Sequence, residues 1–486
     1  MTDILRYETR GTLLYISEYP LHHYHQIRSV FTYNRIGFDR KRNRKTFTPE
    51  TMATGYDADG HTTSLGLNDL PMQIASFRGY EQKLLTKCRD LGVQVRVRRT
   101  PVTDETKFIP QWENVPEGFE WRYMQKEAVE LMASKPGGII VAPPGFGKTV
   151  IAGILPRIFP KARLLMCTYR KTVLATIAEQ ARHFRLPGTK YYIKTDTKRP
   201  TAQAVTAARV VICTTGSLPK LLEYGVDYDI VLIDEAHNAA ADVAFEVVSS
   251  FSKSRVFGFT GSPNRSDGGE FRLLGLCGPR LLTVDMTKAV EKGIVVQIKV
   301  LWCPVNLQYD PTLNCHAVYK KHRGIWFNDL RNRLVAGAAR QYDEDTQVLI
   351  LVDTVKHGKA LRELLPEYTL ASSDNIRLDA IRGAFKKGTL KKVIATGVFK
   401  EGVDFKALEV LINAAGVKSE IANIQLTGRV SRTNDGKSIG IVHDFYDHWS
   451  PEFAAFSRSR KELYEKQGYQ QENILPTTLL QHLNSE

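Results

Sequence analysis

The chain has few cysteines, and none are paired. Cys88, Cys167, Cys213, Cys277, Cys303 and Cys315 stand far apart, with no CxxC. A disulfide framework needs an oxidising compartment and a structural zinc site needs closely spaced thiolates, so buried thiols in a reducing cytosol are expected instead. No apolar run approaches the length that spans a bilayer. The first residues, MTDILRYETR, carry acids early and lack an apolar segment, so neither a signal nor a transit peptide is expected there. Solenoid repeats and low-complexity tracts are missing too. Negative charge is also short: 52 acidic residues face 67 lysines and arginines, a formal net charge of +15. Such an excess favours a polyanionic partner, nucleic acid above all. An anionic membrane fits less well, because no basic amphipathic stripe or lipidation signal accompanies the charge. Hydrophobic content of 43% and charged content of 24% are those of a soluble globular protein, and 486 residues allow several cores.

Against these absences stands GGIIVAPPGFGKTV, residues 137–150. It reads as a strand, a Gly/Pro-rich turn and a helix start. Successive backbone N–H groups of such a loop, with the helix N-terminus behind them, surround the oxygens of a nucleoside triphosphate. In that reading Pro144, Gly145, Phe146, Gly147, Lys148, Thr149 and Val150 line the phosphates. The glycines allow close backbone approach, Lys148 reaches the β- and γ-phosphates, and the Thr149 hydroxyl ligates Mg²⁺. The strict GxxxxGK[ST] pattern is missed by one methyl group, at Ala142.

Downstream, YDIVLIDEAHN at residues 228–238 ends an apolar run in two adjacent acids. Paired carboxylates at a strand tip are unfavourable unless they serve a cation. Asp234 is placed to hold Mg²⁺ and Glu235 to orient and deprotonate an attacking water, the division of labour that phosphoryl transfer needs.

The pattern divides the chain into four parts. Residues 1–112 lack nucleotide-binding features and read as a small α+β accessory domain that binds nucleic acid. Apolar runs at 12–16 and 30–33 suggest strands, and 80–91 suggests a helix. The densest basic cluster, Arg40, Lys41, Arg42, Arg44 and Lys45, lies beside Phe38 and Phe47. Interleaved rings and cations can stack on bases while neutralising phosphates. A charged hairpin turn pointing into water fits the same residues, and both readings stay open. Residues 113–298 alternate apolar runs (139–141, 164–166, 210–213, 230–233, 256–259) with helical stretches, which implies βαβ units and a parallel sheet with its ligand at the strand C-termini. Residues 299–447 repeat the alternation, with strands at 348–352, 392–395, 410–413 and 440–443, but without a phosphate loop. Residues 448–486 read as a basic helix and a polar tail.

Together these segments resemble a superfamily 2 DEAH-box helicase or translocase, from about residue 117 to 469. The matches are RYMQKEA at 122–128, the phosphate loop, Asp234-Glu235-Ala236-His237, Thr260-Gly261-Ser262-Pro263, VLILVDT at 348–354, the 396–404 segment, and Gln425, Gly428, Arg429 and Arg432 of QxxGRxxR. The resemblance implies two tandem RecA-like lobes around one ATP and Mg²⁺. Gln125, with Arg122, would read adenine through its side-chain amide. Gly402, Asp404, Gln425, Arg429 and Arg432 would come from the second lobe, the arginines acting as fingers when the lobes close. His237, Thr260 and Ser262 would pass the state of the γ-phosphate to the nucleic-acid track. That track would be gripped by Thr168 and Arg170, by Thr214, Thr215, Gly216 and Ser217, and by Thr354, Lys356 and Thr396. Hydroxyls, loop amides and a few cations grip a backbone without reading sequence. Small polar residues after strands are also ordinary turn and cap residues.

The Asn after the DEAH box, the pattern HDFYDHWSPEFAAFSRSRKELYEKQGY, and LGVQVRV before the first lobe look like the phage branch-migration helicases of the UvsW type, and more distantly the XPB class. That likeness implies a motor working 3′ to 5′ on branched or duplex DNA such as forks and junctions; apart from the likeness, a cytoplasmic monomer is expected. A double-stranded DNA translocase or an RNA helicase with the same engine is the alternative, and a non-enzymatic clamp is opposed by the full set of catalytic residue types. Cys167-Thr168-Tyr169 departs from the tripeptide common in relatives, which puts the first-lobe track contacts in question.

Overall fold

Five short runs of aliphatic and β-branched residues in the middle of the chain become neighbouring strands of one sheet. Its order is Tyr191–Ile193, Val210–Thr214, Leu164–Thr168, Ile230–Asp234, Arg255–Thr260, Gly137–Val141 and Arg280–Thr283, and every pairing is parallel. Parallel strands covered by helices on both faces have no solvent side, which is why Leu164–Thr168 and Ile230–Asp234 are buried at every position. The two edge strands are short and partly exposed, so no apolar run marks them in the sequence. The computed structural model describes the chain except residues 1–2, 11–12, 40–43, 57–61, 64, 66–70, 101–103, 170, 194–200, 241–244, 246, 247, 249, 252, 262–268, 400–404, 406, 417–426, 429, 432–436 and 484–486.

Two compact units divide the chain: Met1–Ala142 with Gly147–Thr283, and Val284–Glu486 with Pro143–Phe146. The first unit also contains a six-stranded sheet, ordered Thr62–Thr63, Ala53–Tyr56, Gln73–Phe77, Leu13–Glu18, Ile4–Arg10 and Gln94–Thr100. Only the last pair runs parallel; the others are antiparallel. Tyr80 and Phe271 join this sheet's core to the parallel-sheet domain, their rings stacked at 4.6 Å and the Tyr80 hydroxyl donating to the Phe271 carbonyl at 3.0 Å. Tyr33 stacks on Phe271 from another side at 5.1 Å. Tyr33 begins a separate antiparallel hairpin, Thr32–Asp39 with Arg44–Thr51. The run at 30–33 is therefore strand only from Thr32, because Val30 closes the helix Tyr24–Ser29. Arg44 and Lys45 open the returning strand, while Arg40, Lys41 and Arg42 lie outside the described residues.

In the second unit seven strands are again all parallel: Thr369–Ala371, Lys392–Ala395, Val348–Leu351, Val410–Asn413, Ile439–Tyr446, Gln297–Pro304 and Gln470–Asn473, in that order. The strand Gln297–Pro304 crosses the boundary drawn at 298 from the sequence. The C-terminal residues are more than a helix and polar tail: after the helix Pro451–Lys466 the chain returns as the edge strand Gln470–Asn473 beside Gln297–Pro304. That helix buries Phe453, Leu463 and Tyr464, and with them Arg460, whose charge is met by Asp444 at 3.0 Å. Among the described residues no helix is long and apolar enough to cross a membrane. All six cysteines are free, and burial pushes the Cys167 thiol up to about 12, which leaves it unreactive.

Candidate active site

The strand Gly137–Val141 lies inside the first sheet and delivers the loop at its C-terminal end. Ala142 extends the pairing, its N–H donating to the Thr260 carbonyl at 3.0 Å. Gly145 and Gly147 both sit at φ 92°. Ala142 is not among the residues of positive φ, so the extra methyl there meets no backbone objection and is simply buried. Gly147 is the residue before the helix Lys148–Ile158 and needs to be glycine for a second reason. A Cβ there would stand 2.5 Å from Nε2 of Gln125. Gln125 opens the helix Gln125–Ser134, is 2% exposed, and its Oε1 accepts from the Arg122 N–H at 3.0 Å. The structure thus brings the candidate base-reading amide against the end of the phosphate loop. Lys148 lies across the loop with Nζ donating to the Ala142 carbonyl at 2.8 Å, and Thr149 follows it, half-buried.

Asp234 ends its strand almost wholly buried, with Oδ1 lacking any hydrogen-bond partner. Burial, reinforced by the Glu235 charge and opposed by Lys148, pushes its carboxyl up to about 7. Glu235 has φ 51°, a left-handed conformation in which a side chain is strained. Non-glycine residues held there concentrate at functional sites. The turn carries the chain into Ala236–Ala240, where His237 is 2% exposed. Its Nδ1 lies 3.0 Å from the Thr260 hydroxyl and 3.4 Å from Glu235 Oε2. Glu235 is therefore tied through one imidazole to the end of the neighbouring strand.

A buried carboxylate with an unpartnered oxygen suits a divalent cation, which would supply the missing countercharge. Asp234 with the Thr149 hydroxyl would hold it and Lys148 would neutralise phosphate beside it. A signal the sequence does not disclose is Thr168, aligned with Asp234 across the strand pair, fully buried and with its hydroxyl unpartnered. The sequence places it on the track. In this structure it stands buried at the end of its strand, beside Asp234.

The remaining candidates are mixed. Thr214 and Ser217 are half-buried and bonded to each other at 3.2 Å, Gly216 is exposed, and Thr215 is buried. In the second unit the Thr354 hydroxyl accepts from the His357 N–H at 3.3 Å, so it caps the helix Val355–Leu364, while Lys356 is exposed. Thr396 is buried and its N–H donates to the Ala371 carbonyl at 3.2 Å. Buried Phe399 and Phe405 stack at 5.2 Å on either side of the segment that holds Gly402 and Asp404. Gly402 and Asp404 themselves lie outside the described residues, as do Arg170, Ser262, Gln425, Arg429 and Arg432.

Comparison with known proteins gives two family models. Residues 118–265 match the res subunit of type III restriction enzymes, and residues 329–434 match the helicase conserved C-terminal domain. Together they cover just over half of the chain. The "Putative helicase 22" of the Sulfolobus islandicus filamentous virus is 24% identical over 480 residues, 92% of this chain and 80% of that protein. The ATP-dependent DNA helicase uvsW of Enterobacteria phage T4 is 24% identical over 236 residues, 46% of this chain and 47% of that protein. Among solved structures, Saccharomyces cerevisiae Dbp5 bound to RNA and ADP BeF3 aligns with a TM-score of 0.51 and 14% identity over 74% of this chain and 93% of that one, a likeness of fold. With both models in order along two parallel-sheet units, the first of them carrying a phosphate loop and a DEAH box, the chain belongs to the ATP-dependent helicases of superfamily 2.

Proposed function

We propose that the protein is a DNA motor that hydrolyses ATP with Mg²⁺ to translocate 3′ to 5′ and remodel forked or branched duplexes. The observation that carries the reading is the link from Glu235, next to the buried Asp234, through His237 to Thr260. A site that only bound nucleotide would need no connection from its acids to the next strand. In this reading ATP is held by the loop from Pro144 to Val150, with Gln125 and Arg122 at the base. Glu235 activates water, and Arg429 and Arg432 of the second unit stabilise charge on the transferring phosphoryl group. An arginine finger contributes roughly 10³ to 10⁵ in rate, so hydrolysis would follow closure of the two units. The net charge of +15 supports a phosphate-backbone track. We assign that track to the exposed Gly216 and Lys356 with the half-buried Thr214 and Ser217, and the work to the cytoplasm. The test is ATP hydrolysis with and without nucleic acid, followed by strand separation and fork regression on matched DNA and RNA substrates. Lys148→Ala is expected to abolish turnover, and Glu235→Gln to bind ATP and hydrolyse it very slowly. Preference for a linear RNA duplex over a DNA fork would overturn the assignment of substrate.

A further inference from the structure

We propose that the C-terminal segment is a brace for the arginine-bearing turn of the second unit, with Tyr469 as its positioning residue. The inference rests on the function proposed above, in which Arg429 and Arg432 act on the nucleotide. Four neighbours of Arg429 carry it: Thr427, Gly428, Val430 and Ser431.

The Tyr469 hydroxyl lies 3.1 Å from the Thr427 hydroxyl, a contact made across 42 residues of sequence between side chains that are 6% and 1% exposed. Tyr469 is itself held. Its ring stacks on Tyr464 at 5.8 Å, and the Tyr464 hydroxyl donates to Asp444 Oδ2 at 2.9 Å. Asp444 accepts from Arg460 and from the Asn413 amide, both at 3.0 Å. The series from Thr427 to Arg460 therefore runs through buried, bonded groups, with no long side chain free to relax. Burial pushes the Tyr469 hydroxyl up to about 12, so it stays protonated at working pH.

The opposite side of the turn is fixed by backbone. Ser431 Oγ donates to the Gly428 carbonyl at 2.8 Å, and the Val296 N–H donates to the Ser431 carbonyl at 2.7 Å. Gly440 permits this packing, since a Cβ there would fall 2.3 Å from the Val430 carbonyl oxygen. A catalytic cation must arrive at a developing charge within a fraction of an ångström, and a misplacement of about 1 Å costs roughly a hundredfold in rate. The helix Pro451–Lys466 and the residues after it thus add a second, long-range hold on the arginine-bearing turn.

The test compares Tyr469→Phe, Thr427→Val, Thr427→Ser and Arg429→Ala in the full chain, measuring DNA-stimulated kcat, KM for ATP and thermal unfolding. Tyr469→Phe and Thr427→Val are each expected to lower kcat about tenfold with KM and the unfolding midpoint nearly unchanged. Thr427→Ser, which keeps the hydroxyl, should retain kcat. The double variant should be no worse than either single one, because both remove the same hydrogen bond. Arg429→Ala without effect on kcat would overturn the functional reading beneath the proposal. Loss of activity in Arg429→Ala with unchanged kcat in Tyr469→Phe and Thr427→Val would overturn the brace alone. So would a fall in KM-independent activity that merely tracks a lowered unfolding midpoint and is shared by Thr427→Ser.

Discussion

Asp234 is expected to make the protein's stability, and any stabilisation by magnesium, depend on pH. Its carboxyl rises from 3.8 to about 7 because burial, then the charge of Glu235, disfavours ionisation. The folded chain thus holds the proton more tightly than the unfolded chain. The associated stability is present below about pH 4 and is lost as pH rises through about 7. A rise of that size corresponds to at most about 4 kcal/mol. A divalent cation binds only the ionised carboxylate and returns the countercharge, so its apparent affinity should fall about tenfold for each pH unit below the carboxyl's value. The assay is thermal unfolding with magnesium chloride or with EDTA, at about pH 5.5 and about pH 8.5. The expected result is a clear magnesium-induced rise in midpoint at the higher pH and almost none at the lower. Asp234→Asn should flatten the pH dependence and abolish the magnesium response. An equal magnesium shift at both pH values, or an unchanged pH profile in Asp234→Asn, would refute the reasoning.

Gly147→Ala places a side chain at φ 92° and 2.5 Å from the Gln125 amide; it should cost about 1–2 kcal/mol and weaken ATP binding, measured by nucleotide titration. Thr260→Val removes the partner of His237 Nδ1 and should lower DNA-stimulated hydrolysis more than ATP affinity, read from separate kcat and KM values. Arg460→Ala strips the buried Asp444 of its ion pair and should destabilise the second unit by about 3–5 kcal/mol, seen as a fall in its unfolding midpoint. Replacing Arg40, Lys41 and Arg42 together by Ala should reduce the slope of log affinity against log salt by about 0.9 for each duplex phosphate no longer neutralised, measured by DNA binding across a salt series. Substitution is the cleaner perturbation here, because deleting the N-terminal sheet would uncover Phe271, on which Tyr33 and Tyr80 stack.

The strand, turn and helix start around residues 137–150 were legible because their signal is local. A loop such as APPGFGKT works through backbone N–H groups and glycine conformations a few residues apart, and the strands around it are continuous apolar runs that parallel sheets require. Short edge strands such as Thr369–Ala371 and Gln470–Asn473 carry no such run, being partly exposed, and only their pairing reveals them. For Thr168 the sequence shows only a polar residue after an apolar run, and the fold adds that it is buried beside Asp234.

The order and spacing of the motifs in the chain by themselves determined the family and the turn between Gly137–Val141 and Lys148–Ile158, since each signal works over a few neighbouring positions. Tertiary structure alone decided that His237 reaches Thr260 across 23 residues and that Tyr469 reaches Thr427 across 42. Such contacts join side chains from separate elements, and no local pattern of residues encodes which distant hydroxyl a folded sheet will bring within bonding range.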